Sequence, residues 1–397
     1  MAEPLRTSVS AAPVTGAWWN DRHVRAIIYQ LVFLAAIIAL GWFLVSNTIE
    51  NLRIRGIRSG FDFFGQRSGI PISDSVIDWE PEDTFGRAYL VGILNTLRVG
   101  ILGIIFATIL GTIIGVARLS KNWIVAKLAS VYVETIRNVP LLLQLIFIYS
   151  FVIFTLPEQR SPIEIGGGIY LSKSGLLFPL LHLESAHYAA IALLLVSLVG
   201  TIVYNTWAKR RQNETGVSPQ RLLPSLAMLI VPAAIAYFAL GAPAEFDVPK
   251  KATFRFIGGG AIAPEFLTIL AGLVIYTTAF IAEIVRSGIL AVSYGQTEAA
   301  SALGLSRGKI LRLVLLPQAL RVIIPPMTSQ YLNIVKNSSL AVAVGYPDVV
   351  AIEQITMNQT SRALEAILLI MAVYLTISLT ISITMNIYNK RIALKER

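Results

Sequence analysis

The chain consists of long runs of apolar residues separated by polar segments. Runs of roughly 17 to 25 residues are what an α-helix needs to cross the hydrocarbon core of a membrane. The pattern therefore predicts an all-α, polytopic membrane protein with eight transmembrane helices. About 25 residues precede the first run and no small-x-small cleavage pattern follows it, so we interpret it as an uncleaved anchor. The predicted spans are 26–46, 89–117, 139–156, 187–207, 223–241, 265–291, 320–344 and 364–388.

The composition agrees with a membrane location. Of the 397 residues, 55% are hydrophobic and 14% are charged, whereas about a quarter are charged in soluble domains. The net charge is +10. If the N-terminus is cytoplasmic, most lysines and arginines fall on cytoplasmic segments and most acids on the opposite side, as the positive-inside rule requires. Both termini are then cytoplasmic, and topology explains the basic clusters without a nucleic-acid partner.

Metal and disulfide chemistry are not expected. The chain has no cysteine, which removes disulfides and thiolate metal sites. The three histidines, His23, His182 and His187, lie at or outside the ends of spans and show no ligand spacing. We predict no metal site and no cofactor in this chain.

The segment 294–317 leaves the membrane between the sixth and seventh spans. It contains Glu298, Ala299 and Ala300, then Gly304, and ends on Leu316 and Pro317. This spacing resembles the EAA loop of bacterial ABC-importer permeases, with Val314 in place of the usual isoleucine. In that family the loop is a coupling helix that docks on a separate ATPase subunit. The resemblance implies a transport role, with ATP and Mg bound by the partner.

Local signals predict two short helices in this coupling loop. Ser293 and Gln296 have the spacing of a capping box, Gly304 is suited to end the first helix in a left-handed conformation, and Ser306 can cap a second helix that closes before Pro317. Short helices are marginal in water, so their small apolar face needs a packing partner. We predict docking on the ATPase rather than packing on this chain's own inner ends. The face comprises Ala299, Ala300, Ala302 and Leu303.

The resemblance extends beyond this loop. Segments 92–120, 132–153, 276–306 and 318–345 resemble the polar amino-acid family of permeases, and the enlarged arrangement resembles the general L-amino-acid permeases within it. It divides the chain into a cytoplasmic tail, an extra helix, a periplasmic loop, the first core part with two spans, an insertion with two spans, the second core part with three spans, and a tail. These are 1–25, 26–46, 47–88, 89–156, 157–264, 265–390 and 391–397.

Polar residues within spans are the candidates for the substrate pathway, because an ionised group at a helix centre costs about 2.5 to 3.5 kcal/mol. For Arg98 and Lys336 the alternative is pairing with a carboxylate of the chain. For the hydroxyls it is bonding to the helix backbone. Glu283 and Arg286, three residues apart, are predicted to form a structural ion pair. The pathway candidates are Asn95, Arg98, Tyr276, Thr277, Asn333, Lys336, Asn337 and Ser338.

We therefore predict the permease subunit of a type I ABC importer for amino acids in a bacterial inner membrane. The family implies four kinds of partner: a second homologous permease that completes a heterodimer, two ATPase copies, a periplasmic binding protein and the amino-acid substrate. The alternatives are a permease for another small polar solute and an ATP-independent secondary transporter. Few acids lie within the spans, which disfavours proton coupling.

Overall fold

A computed structural model describes residues 22–54, 56, 60–217, 219–252 and 256–392. Most of the two predicted tails lies outside these described residues. The helices are α1 (Arg22–Ile54), α2 (Phe85–Ala117), α3 (Trp123–Asn138), α4 (Leu141–Thr155), α5 (Ser185–Thr215), α6 (Leu222–Ala239), α7 (Pro264–Leu290), α8 (Tyr294–Ala302), α9 (Arg307–Ile310), α10 (Leu316–Asn337), α11 (Val349–Thr360) and α12 (Ala363–Ile392).

Among the described residues, seven helical stretches are long and apolar enough to cross a membrane. The pair α3 and α4, bent by 105°, makes an eighth, in agreement with the predicted number of spans. The bend falls at Val139, which is extended, because the proline after it disfavours a helical conformation. Several boundaries differ from prediction. Around the first loop, α1 continues to Ile54 and α2 begins at Phe85, so this loop is shorter than 47–88. The fourth span, α5, continues to Thr215, and α10 ends at Asn337.

We call the side that carries residues 60–84 the outer side, and the side that carries residues 291–315 the inner side. The core is built around α2 and α7, which run past each other between these sides. Gly111 and Gly115 of α2 face Ile281, Ala282 and Val285 of α7. The absence of a side chain at both glycines lets the two backbones approach closely, as is common between membrane helices.

Residues 60–84 fold into a compact cap on the outer side. Phe63 and Ile70 are buried against Tyr89 of α2 and Val349 of α11. The Arg362 guanidinium, next to α12, forms an ion pair with Asp62 of the cap. The cap is therefore attached both to the first core part and to the second.

The insertion departs from an all-α description, although the chain as a whole is mostly helical. Short strands lie on both sides of the α5–α6 hairpin, and the four-stranded sheet has the order β1-β2-β3-β8. Gly167 and Gly168 turn β1 into β2 as a hairpin, whereas the turn at Gly258 and Gly259 joins strands with different partners. Pairing of β3 with β8 brings the two ends of the insertion together. The strands are β1 (Ile163–Gly166), β2 (Ile169–Ser172), β3 (Gly175–Phe178), β4 (Leu180–Leu181), β5 (Phe246–Asp247), β6 (Lys250–Lys251), β7 (Phe256–Ile257) and β8 (Gly260–Ile262).

Candidate functional site

A polar cavity of about 270 Å³ lies between α7 and α10. We call it the α7–α10 cavity. Four of the predicted pathway residues meet there: Tyr276 and Thr277 from α7, and Asn333 and Asn337 from α10. Residues four apart lie on the same face of a helix, so the two asparagines form one polar stripe. Hydroxyls and amides both donate and accept hydrogen bonds, and the cavity therefore offers both kinds of partner to a solute.

Sequence reasoning missed two residues that line this cavity. Phe280 and Gln330 complete its wall. Gln330 precedes Asn333 by three residues and belongs to the same helical face, so the spacing contained a signal for it. Phe280 carried no signal, because an aromatic residue in an apolar span is indistinguishable from a lipid-facing one.

Arg98 and Asn95 lie elsewhere, at the junction of α2 with the cap. The Arg98 guanidinium lies 3.0 Å from an Asp74 carboxylate oxygen and 3.9 Å from the centre of the Phe266 ring. Asn95 is fully buried and donates its amide hydrogens to the carbonyl oxygens of Asp74 (2.8 Å) and Pro347 (2.9 Å). For Arg98 the structure therefore shows the alternative to substrate binding, namely pairing with a carboxylate of the chain itself. Arg98 and Asn95 both connect α2 to the cap.

The other two α10 candidates do not line the α7–α10 cavity. Lys336 is exposed and is not among the residues that line this cavity. Ser338 is buried, and its hydroxyl donates to the Val335 carbonyl at 2.7 Å. Pro325 and Pro326 lie inside a continuous α10, so they remove N–H donors without breaking the helical path.

A second cavity of about 300 Å³ follows toward the inner side. We call it the inner cavity. Phe280 and Gln330 belong to the walls of both cavities. Glu283 lies in the inner cavity and accepts from Arg286 at 2.5 Å, the pair that the spacing predicted. It also pairs with Arg118 at the end of α2, a partner too distant in sequence to be predicted. The inner cavity is lined by Arg137, Phe280, Glu283, Ile284, Ser287, Pro326, Ser329 and Gln330.

The coupling loop has the predicted elbow but a different continuation. Gly304 ends α8 with a φ of +72°, a left-handed conformation that glycine adopts without strain. The prediction that a helix closes before Pro317 is wrong: α9 passes through a π-helical turn, Leu311–Leu315, directly into α10. Pro317 lies at the start of α10, just after the π-helical turn.

The capping predictions for this loop are also wrong. The Ser293 and Ser306 side chains make no cap hydrogen bond. The Gln296 side chain instead accepts from the Gln318 amide of α10 at 3.2 Å, and so links the start of α8 to the start of α10.

The exposure of the coupling loop separates its apolar residues into two groups. Leu303 is 80% exposed, and Ala299 and Ala302 are exposed beside it. Ala300 is 4% exposed, because α8 folds back on α9 and the π-helical turn, so it does not belong to the exposed face. Glu298 and Gly304 are exposed, Leu316 is largely exposed and Pro317 is half-buried. The loop therefore presents a small apolar face with Leu303 at its centre.

Comparison with known proteins places the chain in a family. A family model described as "Binding-protein-dependent transport system inner membrane component" matches residues 220–394. The general L-amino acid transport system permease protein AapQ of Rhizobium johnstonii is 41% identical over 98% of this chain and 99% of its own length. The putative amino-acid ABC transporter permease protein YhdX of Escherichia coli is 46% identical over 94% of this chain and 95% of its own.

A third relative aligns over nearly the whole chain as well. The glutamate/glutamine/aspartate/asparagine transport system permease protein BztB of Rhodobacter capsulatus is 42% identical over 95% of this chain and 96% of its own length. Identity at this level across all spans, together with the coupling loop, is far above what similar composition produces. The chain therefore belongs to the polar amino-acid family of ABC-importer permeases, the inner-membrane components of binding-protein-dependent transport systems.

Proposed function

We propose that this permease, with a second and similar permease chain, forms the translocation pathway for L-amino acids of broad specificity. The observation that carries the proposal is the α7–α10 cavity, whose polar lining consists of hydroxyls and amides without an ionised group. Every L-amino acid presents the same carboxylate and ammonium, and neutral groups can hydrogen-bond to both. Without a fixed charge, the cavity does not select the charge of the side chain. The relatedness to a general L-amino acid permease supports this specificity.

The energy source belongs to other subunits in this proposal. Two copies of an ATPase subunit bind ATP and Mg. The ATPase docks on the exposed face around Leu303, since an apolar helix face of this kind fits a groove on a partner. The coupling loop continues without a break into α10, which carries Asn333. A movement of the loop is therefore transmitted along one helix to the cavity wall. Both termini lie in the cytoplasm, and a periplasmic binding protein delivers the substrate to the outer side.

The test uses the complete transporter in proteoliposomes, with uptake measured for L-glutamate, L-alanine and L-arginine. Asn333→Leu removes a polar group of nearly the same size, and we expect it to raise KM by a similar factor, about fivefold, for all three. Thr328→Val is the matched control: Thr328 lies one turn away on α10, outside the cavity, and its hydroxyl donates to the Ile324 carbonyl. An effect confined to one substrate class would contradict the broad-specificity assignment.

The same preparation separates the alternatives. A permease for another small polar solute would transport none of the three amino acids in any variant. A secondary transporter would continue uptake when ATP is omitted from the vesicles. Loss of uptake without ATP, and its return when ATP is supplied, is the result expected here.

A further inference from the structure

Arg137 is a cation of the inner cavity without an acidic partner. It lies in the last turn of α3, and its guanidinium carbon lies 5.2 Å from the centre of the Phe280 ring. In the described part of the chain it forms no ion pair with an aspartate or glutamate. It is not needed as a helix cap either, because Gln144 donates to the Ile136 and Val139 carbonyls at the end of α3.

The one carboxylate in the inner cavity is already occupied. Glu283 is held by Arg286 and Arg118. The group of three arginines and one glutamate therefore has an excess of two positive charges. Arg137 supplies one of them, and the two arginines that share Glu283 leave the other. An anionic ligand is the expected complement, because a guanidinium binds a carboxylate through two parallel hydrogen bonds.

The surroundings of Arg137 supply further hydrogen-bonding groups. Ser287, Ser329 and Gln330 line the same cavity. Their hydroxyl and amide groups can accept from an ammonium as well as donate to a carboxylate. The inner cavity thus combines a free cation with neutral acceptors, which matches the two charged groups of an amino acid.

The two cavities are consecutive along the pathway. Phe280 lies ten residues before the inner end of α7 at Leu290, a distance of roughly 15 Å along the helix. Since Phe280 and Gln330 form part of both walls, a solute that leaves the α7–α10 cavity toward the inner side passes this pair first and then reaches Arg137.

We propose that the inner cavity is a second amino-acid binding site, in which Arg137 binds the α-carboxylate of a substrate on the inner side of Phe280. The proposal rests on the proposed function, since the ligand is the transported amino acid. A site that opens on the inner side also fills from the product compartment. Amino acid accumulated inside therefore occupies it and slows further uptake.

The experiment uses proteoliposomes with the complete transporter, loaded with ATP and with either L-alanine or L-alaninamide, which lacks the carboxylate. Uptake of labelled L-alanine is measured against the internal concentration of each compound. In the wild type, internal L-alanine inhibits and internal L-alaninamide does not. Arg137→Gln should raise the half-inhibitory concentration of internal L-alanine about tenfold, and Arg137→Lys should raise it less.

Two controls keep this outcome separate from the proposed function and from misfolding. Asn333→Leu should raise the external KM and leave the internal half-inhibitory concentration unchanged. If Arg137→Gln fails to assemble, Arg137→Lys supplies the comparison. Equal inhibition by L-alaninamide, or an Arg137→Gln transporter that is slower but equally sensitive to internal L-alanine, would overturn the second site. If Asn333→Leu left the external KM unchanged, that result alone would count against the proposed function and not against the second site.

Discussion

The contact between α2 and α7 allows a quantitative test of the fold. A Cβ atom added at Gly115 would lie 2.7 Å from the Ala282 carbonyl oxygen and 2.8 Å from the Val285 Cβ. Neither atom can move away by a side-chain rotation, so Gly115→Ala must push the two helices apart. A Cβ atom added at Gly111 would lie 2.5 Å from the Ile281 Cγ2 and 2.6 Å from the Ile281 Cβ, so Gly111→Ala should push the helices apart as well.

The expected size follows from two opposing terms. Inserting a methyl group into a packed contact costs about 1 to 3 kcal/mol, while glycine to alanine within a helix gains about 1 kcal/mol. Gly41→Ala in α1 isolates the second term, because no heavy atom lies within 4 Å of the added Cβ. Gly115→Ala should therefore be less stable than Gly41→Ala by about 1 to 3 kcal/mol. Gly103→Ala should lie between them, since the nearest neighbour of the added Cβ is the Ile334 Cγ2 methyl group at 3.1 Å.

The assay is thermal unfolding of the purified complex in detergent, followed by the loss of monodisperse protein. Gly115→Ala and Gly111→Ala should melt several degrees below Gly41→Ala, and Gly41→Ala should melt at or slightly above the wild type. If Gly115→Ala melted together with Gly41→Ala, the two helices would not be in the close contact described here, and the argument from these distances would fail.

Two further predictions concern the inner and outer sides. Leu303→Asp, at an 80% exposed position directly after α8, should leave the melting temperature of this subunit unchanged but abolish its copurification with the ATPase. Ser301→Asp, within α8, should retain copurification; if both variants lost it, that result would argue against a face centred on Leu303. Burial raises the pKa of Asp348 to about 7, so its stabilisation of the fold is complete below about pH 4 and decreases by roughly 3 kcal/mol between pH 5 and 8. Asp348→Asn, which keeps an acceptor for the Ala351 N–H, should remove that part of the pH dependence, and an unchanged melting profile from pH 5 to 8 would contradict the assignment.

The membrane spans and the elbow at Gly304 could be predicted from the sequence because both depend on local patterns. Apolar length alone predicts where a helix crosses the membrane, and Gly304 marks the turn through its own backbone freedom. The predicted α7 and α10 pathway residues lie together because helical periodicity places Asn333 and Asn337 on one face. Tyr276 and Thr277 occupy the facing helix, and their place in the cavity depends on the packing of α7 against α10.

What could not be predicted depends on contacts between distant segments. The partner of Arg98 is Asp74, which lies in the cap, and no periodicity links a loop residue to a helix 24 positions later. The β3–β8 pairing joins strands separated by the whole α5–α6 hairpin. Ala300 has the same local sequence features as Ala299, and only the fold of α8 on α9 distinguishes the buried one from the exposed one.

The ion pairs of Arg98 and Glu283 can be understood from the distribution of charge along the pathway. Arg98 is neutralised by Asp74 on the outer side, and Glu283 is held between two arginines on the inner side. The α7–α10 cavity between them has no ionised side chain. An unpaired charge at that depth would cost about 2.5 to 3.5 kcal/mol and would also favour substrates of the opposite charge. The pairing of Arg98 on the outer side and of Glu283 on the inner side reduces this cost. The middle of the pathway carries no charge that would exclude acidic, neutral or basic solutes.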